Sequence, residues 1–220
     1  MRDFPNDAKR PKAGFFLMLL LVSLGSVAIL LPASLPQSPY RAVGEDGAVE
    51  LLQMVFLLLS AALFLATSGH AGRLRVIFIA FGLGAFCAAI GEYRRPLNDL
   101  IEPVRCEWLQ LALLVVVGVL FFTHTKPLAR FWGLASSQPT TGFLIAGLIL
   151  AYVFGEAMGT RRFWEASLGA GYDTRIPRIV ESYIELLACY FVFVSTLGFC
   201  LPITQTRKKR RQPPRPDKDS

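Results

Sequence analysis

Six runs of apolar residues, each about twenty long, constrain this chain more than any other feature. They lie at residues 13–32, 48–66, 75–92, 107–123, 141–158 and 178–201. A run of that length crosses the hydrocarbon layer as an α-helix, because only a helix satisfies every backbone N–H and C=O within one segment. The expected fold is therefore all-α: a polytopic, multi-pass membrane protein built as a bundle of six transmembrane helices. Charged residues make up 18% of the chain, below the ~25% of an ordinary soluble domain. The sequence divides into an N-terminal segment 1–12, a transmembrane domain 13–201 and a basic tail 202–220. The tail is rich in proline and charge, and disorder is expected there.

The first run, preceded by Arg2, Lys9, Arg10 and Lys12, has the outline of a signal peptide. It is longer than the usual apolar region, and Ala33-Ser34-Leu35 is a poor cleavage site, so an uncleaved first helix is expected. Six spans put both termini on one side. With the termini cytoplasmic, that side holds fifteen of the 23 Lys and Arg residues. The excess favours this orientation, since basic residues concentrate on the cytoplasmic side. The expected location is the cell inner membrane, with both termini cytoplasmic. The net charge of +7 sits largely at the termini. Binding to the anionic membrane surface explains it better than nucleic acid, which is not favoured as a partner.

Acidic residues sharpen the asymmetry. Apart from Asp3, Asp7, Asp217 and Asp219, every carboxylate falls at the outer ends of the spans or in the outer loops. The two inner connectors, 67–74 and 124–140, contain none.

Two pairs of spans share a pattern. The second opens with Glu50-Leu51-Leu52-Gln53 and the fourth with Glu107-Trp108-Leu109-Gln110. The third closes with Gly91-Glu92 followed by Arg94 and Arg95; the fifth closes with Gly155-Glu156 followed by Arg161 and Arg162. A duplicated helical hairpin accounts for both, and transport folds often place their sites between such repeats.

The helix dipole favours Glu50, Glu107 and Glu181 at helix starts, and it favours the arginine pairs Arg94, Arg95, Arg161 and Arg162, which are expected to follow helix ends. Glu92 and Glu156 fit less well. They sit at helix C-termini, where the dipole disfavours a carboxylate, and each adjoins an apolar run. Such a residue needs a basic partner, a cavity or water. Gln53 and Gln110 lie three residues after a glutamate, on the same helix face. Glu181 and Glu185 stand at i and i+4 near the start of the last span, where like charges repel. One exposed and one paired glutamate is the simpler arrangement. If both point inward, they could carry acid–base chemistry.

The candidate site therefore comprises Glu92, Glu156, Glu181 and Glu185 as acid–base residues. Glu50, Gln53, Arg94, Arg95, Glu107, Gln110, Arg161 and Arg162 are expected to bind substrate. The arginine fork suits phosphate or carboxylate groups. Carboxylates without histidine could hold a divalent cation such as Mg²⁺ or Ca²⁺, although no ordered ligand spacing favours one. No cofactor is indicated. His70 and His124 fall in the inner connectors, and the four cysteines show no C-x-x-C spacing, which disfavours zinc. The same features exclude a ceramidase-type hydrolase, which needs several histidines, and an exosortase-like transpeptidase, which needs cysteine with arginine and histidine. No P-loop, dinucleotide-binding glycine pattern or G-x-S-x-G is present.

Three functions remain. The first is binding or acid–base processing of a lipid-linked or amphiphilic anionic substrate at the extracytoplasmic face. The second is a structural or assembly subunit. The third is a small-solute transporter, disfavoured because the inner halves of the spans carry no charge. Membrane lipids are the expected partners. Neither the reaction nor the oligomeric state is fixed by the sequence.

Overall fold

A computed structural model of the chain describes residues 48–92 and 106–211, with side chains as far as residue 203. These residues form helices joined by turns, with no strand among them. We label them α1 (Ala48–Ser68), α2 (Arg75–Glu92), α3 (Cys106–Thr123), α4 (Thr125–Ala135), α5 (Thr140–Gly159), α6 (Arg161–Leu168) and α7 (Ile176–Arg211). Five stretches are long and apolar enough to cross a membrane: α1, Gly72–Glu92, α3, α5 and Ile176–Ile203 within α7. The expected first span, the loop carrying Arg94 and Arg95, and the end of the tail lie outside the described residues.

Span boundaries follow the sequence closely. α2 begins at Arg75 and ends at Glu92 as expected, and α3 begins one residue earlier, at Cys106. α7 begins at Ile176 and continues to Arg211, past the expected limits of 178 and 201. Between α1 and α2 the chain turns sharply. The Ser68 hydroxyl donates to the carbonyl of Leu65 at 2.7 Å, and the N–H of His70 donates to the carbonyl of Thr67 at 2.8 Å. Gly72 then adopts φ +54°, a left-handed conformation that only glycine visits freely.

Two connectors read as loops are partly helical. α4 fills much of the connector 124–140: Pro127 is tolerated in its first turn, and Leu128, Phe131 and Ala135 recur at helical spacing. Phe131 and Ala135 are buried, whereas Lys126 and Arg130 are exposed on another face. α6 lies in the connector between α5 and α7. Thr160 is extended, with φ −75° and ψ 113°, and breaks the chain direction before Arg161. Arg161 and Arg162 therefore open a helix instead of following one. This corrects the expectation from the sequence: the dipole at this position opposes the arginines, and their exposure to solvent offsets it.

The described residues fall into two compact units, one of 48–56 and 138–194, the other of 57–92, 106–137 and 195–211. In the first unit Val49, Leu186, Tyr190 and Val194 are buried together, with Phe56, Phe143 and Phe191 packed against them. In the second, phenylalanine rings form a connected core. Phe64 meets Phe78 and Phe81, Phe81 meets Phe121, and Phe131 meets Phe78, Phe81 and Phe199, with centroids 5.0–6.2 Å apart. Aromatic contacts of this kind add about 0.5–1.5 kcal/mol per pair beyond area burial.

Glycines set some of the closest approaches. A Cβ on Gly82 would lie 2.8 Å from Cγ of Leu65 on α1, so α2 approaches α1 closely there. Gly84 has nothing within 4 Å of its Cβ position. The outward surfaces are apolar. Only 6% of the α3 window and 11% of the α5 window are buried, against 50% for α7. Leu114, Val115 and Phe122 on α3, and Tyr152 and Val153 on α5, are exposed as lipid-facing side chains should be.

Candidate functional site

The first unit gathers five of the twelve predicted site residues around the start of α7: Glu50, Gln53, Glu156, Glu181 and Glu185. Its helix face bearing Glu181, Glu185 and Ala188 lies against glycines of α5. A Cβ on Gly147 would lie 3.0 Å from the carbonyl oxygen of Ala188 and 3.3 Å from Cβ of Phe191. A Cβ on Gly155 would lie 3.9 Å from Cγ of Glu185. A Cβ on Gly159 would lie 2.8 Å and 3.0 Å from the two carboxylate oxygens of Glu181. No real Cβ approaches that closely, so the missing side chain of Gly159 is the space that the Glu181 carboxylate occupies. Both glutamates thus turn toward α5. The simpler arrangement, one exposed and one paired, does not hold.

Charged neighbours of both signs act on Glu181. Glu156, on the last turn of α5, is one, and Arg178, one turn earlier on α7, is the other. Arg178 also faces Glu50, its guanidinium 3.9 Å from the carboxylate. Gln53 is fully buried one turn into α1, where its side-chain N–H donates to the carbonyl of Ser182 at 3.0 Å. This bond uses an α7 carbonyl as acceptor and fixes the start of α1 against α7.

The backbone of α5 departs from α-helical geometry just before Glu156. Residues Leu150–Gly155 form a π-helical stretch. Short π-segments widen the helix locally and are frequent at functional positions. Below it the helix end is closed by side chains: the hydroxyl of Thr160 donates to the carbonyl of Glu156 at 3.0 Å, and the indole N–H of Trp164 donates to that of Met158 at 2.6 Å. Trp164 therefore caps α5 besides lying near the interface. Two tyrosine hydroxyls in this unit, Tyr172 and Tyr183, are buried without a hydrogen-bond partner among the described residues. A buried hydroxyl left so costs ~1–3 kcal/mol.

The second unit holds Gly91, Glu92, Glu107 and Gln110. A Cβ on Gly91 would lie 2.7 Å from the side-chain nitrogen of Gln110, so this glycine also makes room for a polar side chain. The backbone carbonyl of Gln110 accepts from the thiol of Cys87 at 3.4 Å. Glu92 is half-buried and Glu107 exposed. Among the described residues no three His, Cys, Asp or Glu side chains come together as a metal ligand set.

Residues matched by the apparent repeat make different contacts. Gln53 reaches an α7 carbonyl, while Gln110 faces Gly91. Arg178, Ser182 and Gly159 belong to the arrangement although the sequence did not assign them to the site. Gly159 carried a signal, since Gly155 and Gly159 form a small-xxx-small pair that marks close packing. Tyr172 carried none. The chain matches no known protein family, no characterised protein and no solved structure.

Proposed function

We propose that this is a six-span inner-membrane protein, both termini cytoplasmic, whose outer face binds or processes an anionic amphiphile by acid–base chemistry. The carrying observation is the seat that Gly159 leaves for the Glu181 carboxylate, beside the carboxylate of Glu156 and the guanidinium of Arg178. A carboxylate between a like and an unlike charge is suited to exchanging a proton. Arg178 is half exposed and offers the anion contact, a role expected from the sequence for Arg94, Arg95, Arg161 and Arg162. A lipid-linked substrate could present its headgroup at this depth while its chains stay in the bilayer. The reading keeps the duplicated hairpin as its evolutionary frame, with each half bringing a terminal glycine against a polar side chain.

A second reading, a structural or assembly subunit, draws on Gln53. That side chain is spent on a helix-to-helix bond and leaves nothing for a ligand.

The two separate in one experiment. The full chain and its Glu181→Gln and Arg178→Gln variants are extracted in mild detergent, and native mass spectrometry reads the bound lipids. The site reading expects an anionic amphiphile on the parent chain that Arg178→Gln reduces roughly tenfold, equivalent to about 1.4 kcal/mol. It expects Glu181→Gln to leave protein yield unchanged. Identical lipid complements on all three folded proteins would favour the structural reading.

A further inference from the structure

The inner connectors carry a feature that the outer site does not use. α4 has eleven residues and so spans about 16 Å, too short to cross the bilayer at about 1.5 Å per residue. It joins two spans and must stay at the membrane face. Phe131 and Ala135 anchor it to the second unit, Phe131 through rings of Phe78, Phe81 and Phe199. The opposite side is basic. Lys126 and Arg130 stand at i and i+4, both exposed, a spacing at which like charges repel. The turn Gly72–Leu74 packs against α4, and its neighbourhood adds the exposed Arg73 and Arg75. Neither connector contains an Asp or Glu. Four exposed cations thus lie on α4 and on the turn and helix start beside it, with no acid in the two connectors to balance them. Trp132, 42% exposed and 5.8 Å from the ring of Phe131, and Leu134 flank the basic face on its two sides with apolar surface.

We propose that α4, with Arg73 and Arg75, is a docking surface for anionic phospholipid of the surrounding leaflet. The phosphate-bearing headgroups sit between the cations, and Trp132 and Leu134 enter the acyl boundary. Charge complementarity commits the surface to a lipid: the helix is fixed at the face of a bilayer, where anionic headgroups are the nearest abundant anions. The proposal does not depend on what Glu156, Glu181 and Arg178 bind.

The test uses the full chain with Trp108→Phe and Trp164→Phe, which leaves Trp132 as the reporter. It is reconstituted in vesicles of phosphatidylcholine and phosphatidylglycerol, with bromine on the acyl chains of one or the other lipid. Trp132 should be quenched preferentially by brominated phosphatidylglycerol, with a relative affinity on the order of tenfold. Lys126→Gln with Arg130→Gln should bring that ratio close to one while quenching by brominated phosphatidylcholine persists, showing α4 still at the interface. The exchange Lys126→Arg with Arg130→Lys, which conserves charge, should keep the preference. Equal quenching by both lipids in the parent chain would overturn the proposal and point to an acidic protein as the occupant. So would a preference that survives the double glutamine variant, or one that the charge-conserving exchange abolishes.

Discussion

Two glycines, one in each compact unit, face polar side chains at nearly the same distance. Gly159 on α5 faces the carboxylate of Glu181, and Gly91 on α2 faces the amide of Gln110. Geometrically the pairs are alike. Electrically they are not. An amide against a bare Cα is a packing solution that needs no further partner beyond a hydrogen bond. A carboxylate in the same seat brings a charge to the edge of a hydrocarbon layer, and Glu156 adds a second. Close packing explains Gly91 fully, whereas at Gly159 it explains the space but not the choice of what fills it. That difference is why the functional reading rests on the first unit.

The comparison can be broken most sharply at a third glycine. Gly147→Ala pushes a methyl into the backbone carbonyl of Ala188 and the Cβ of Phe191, atoms that cannot swing aside. It should destabilise the protein by ~1–3 kcal/mol, read as a lowered unfolding midpoint in detergent. A midpoint equal to the parent's would show that α5 and α7 are not held at this separation.

Gly159→Ala and Gly91→Ala meet only the mobile ends of side chains. Each should cost ~0.5–1.5 kcal/mol, the cost of moving a side chain off its preferred rotamer. The two should then diverge in ligand retention. Displacing Glu181 should change the amphiphile carried through purification, and displacing Gln110 should not. Equal loss from both variants would remove the distinction between the units.

The smallest effect belongs to the Glu50–Arg178 pair, at 3.9 Å and with Arg178 half exposed. Glu50→Gln should alter stability by ~0–1 kcal/mol. A drop of several kcal/mol in the same unfolding assay would mark the pair as a structural lock and strengthen the subunit reading.

The sequence carries the spans because bilayer thickness sets their length, so α2 could be placed to the residue. It does not carry α4 and α6, which are short and amphipathic and whose apolar residues are too few to stand out from a loop. The site was legible to a similar depth. Spacing alone put Glu181 and Glu185 near one face of α7, and dipole arguments singled out Glu156. What spacing could not supply is the register between helices. That Gly159 lies opposite Glu181, or that Gln53 reaches the carbonyl of Ser182, depends on how α5 and α1 slide along α7. The same lack misassigned the arginines. Only the extended backbone at Thr160 shows that Arg161 begins a new helix, leaving Arg178 as the cation beside the carboxylates.

The π-helical stretch Leu150–Gly155 bears on what changes of chain length α5 can accept. Each residue of an α-helix advances about 100° around the axis. The wide stretch turns less per residue and so absorbs one residue more than a regular helix would hold over the same rotation. Removing one residue there would let regular bonding resume with Gly155, Glu156 and Gly159 still near the α7 face. Removing one from a regular turn of α5 would instead swing them through roughly that angle and bring a bulky side chain to where the Glu181 carboxylate now lies. Between Gly147 and Gly159, the place that can lose a residue is therefore the stretch Leu150–Gly155.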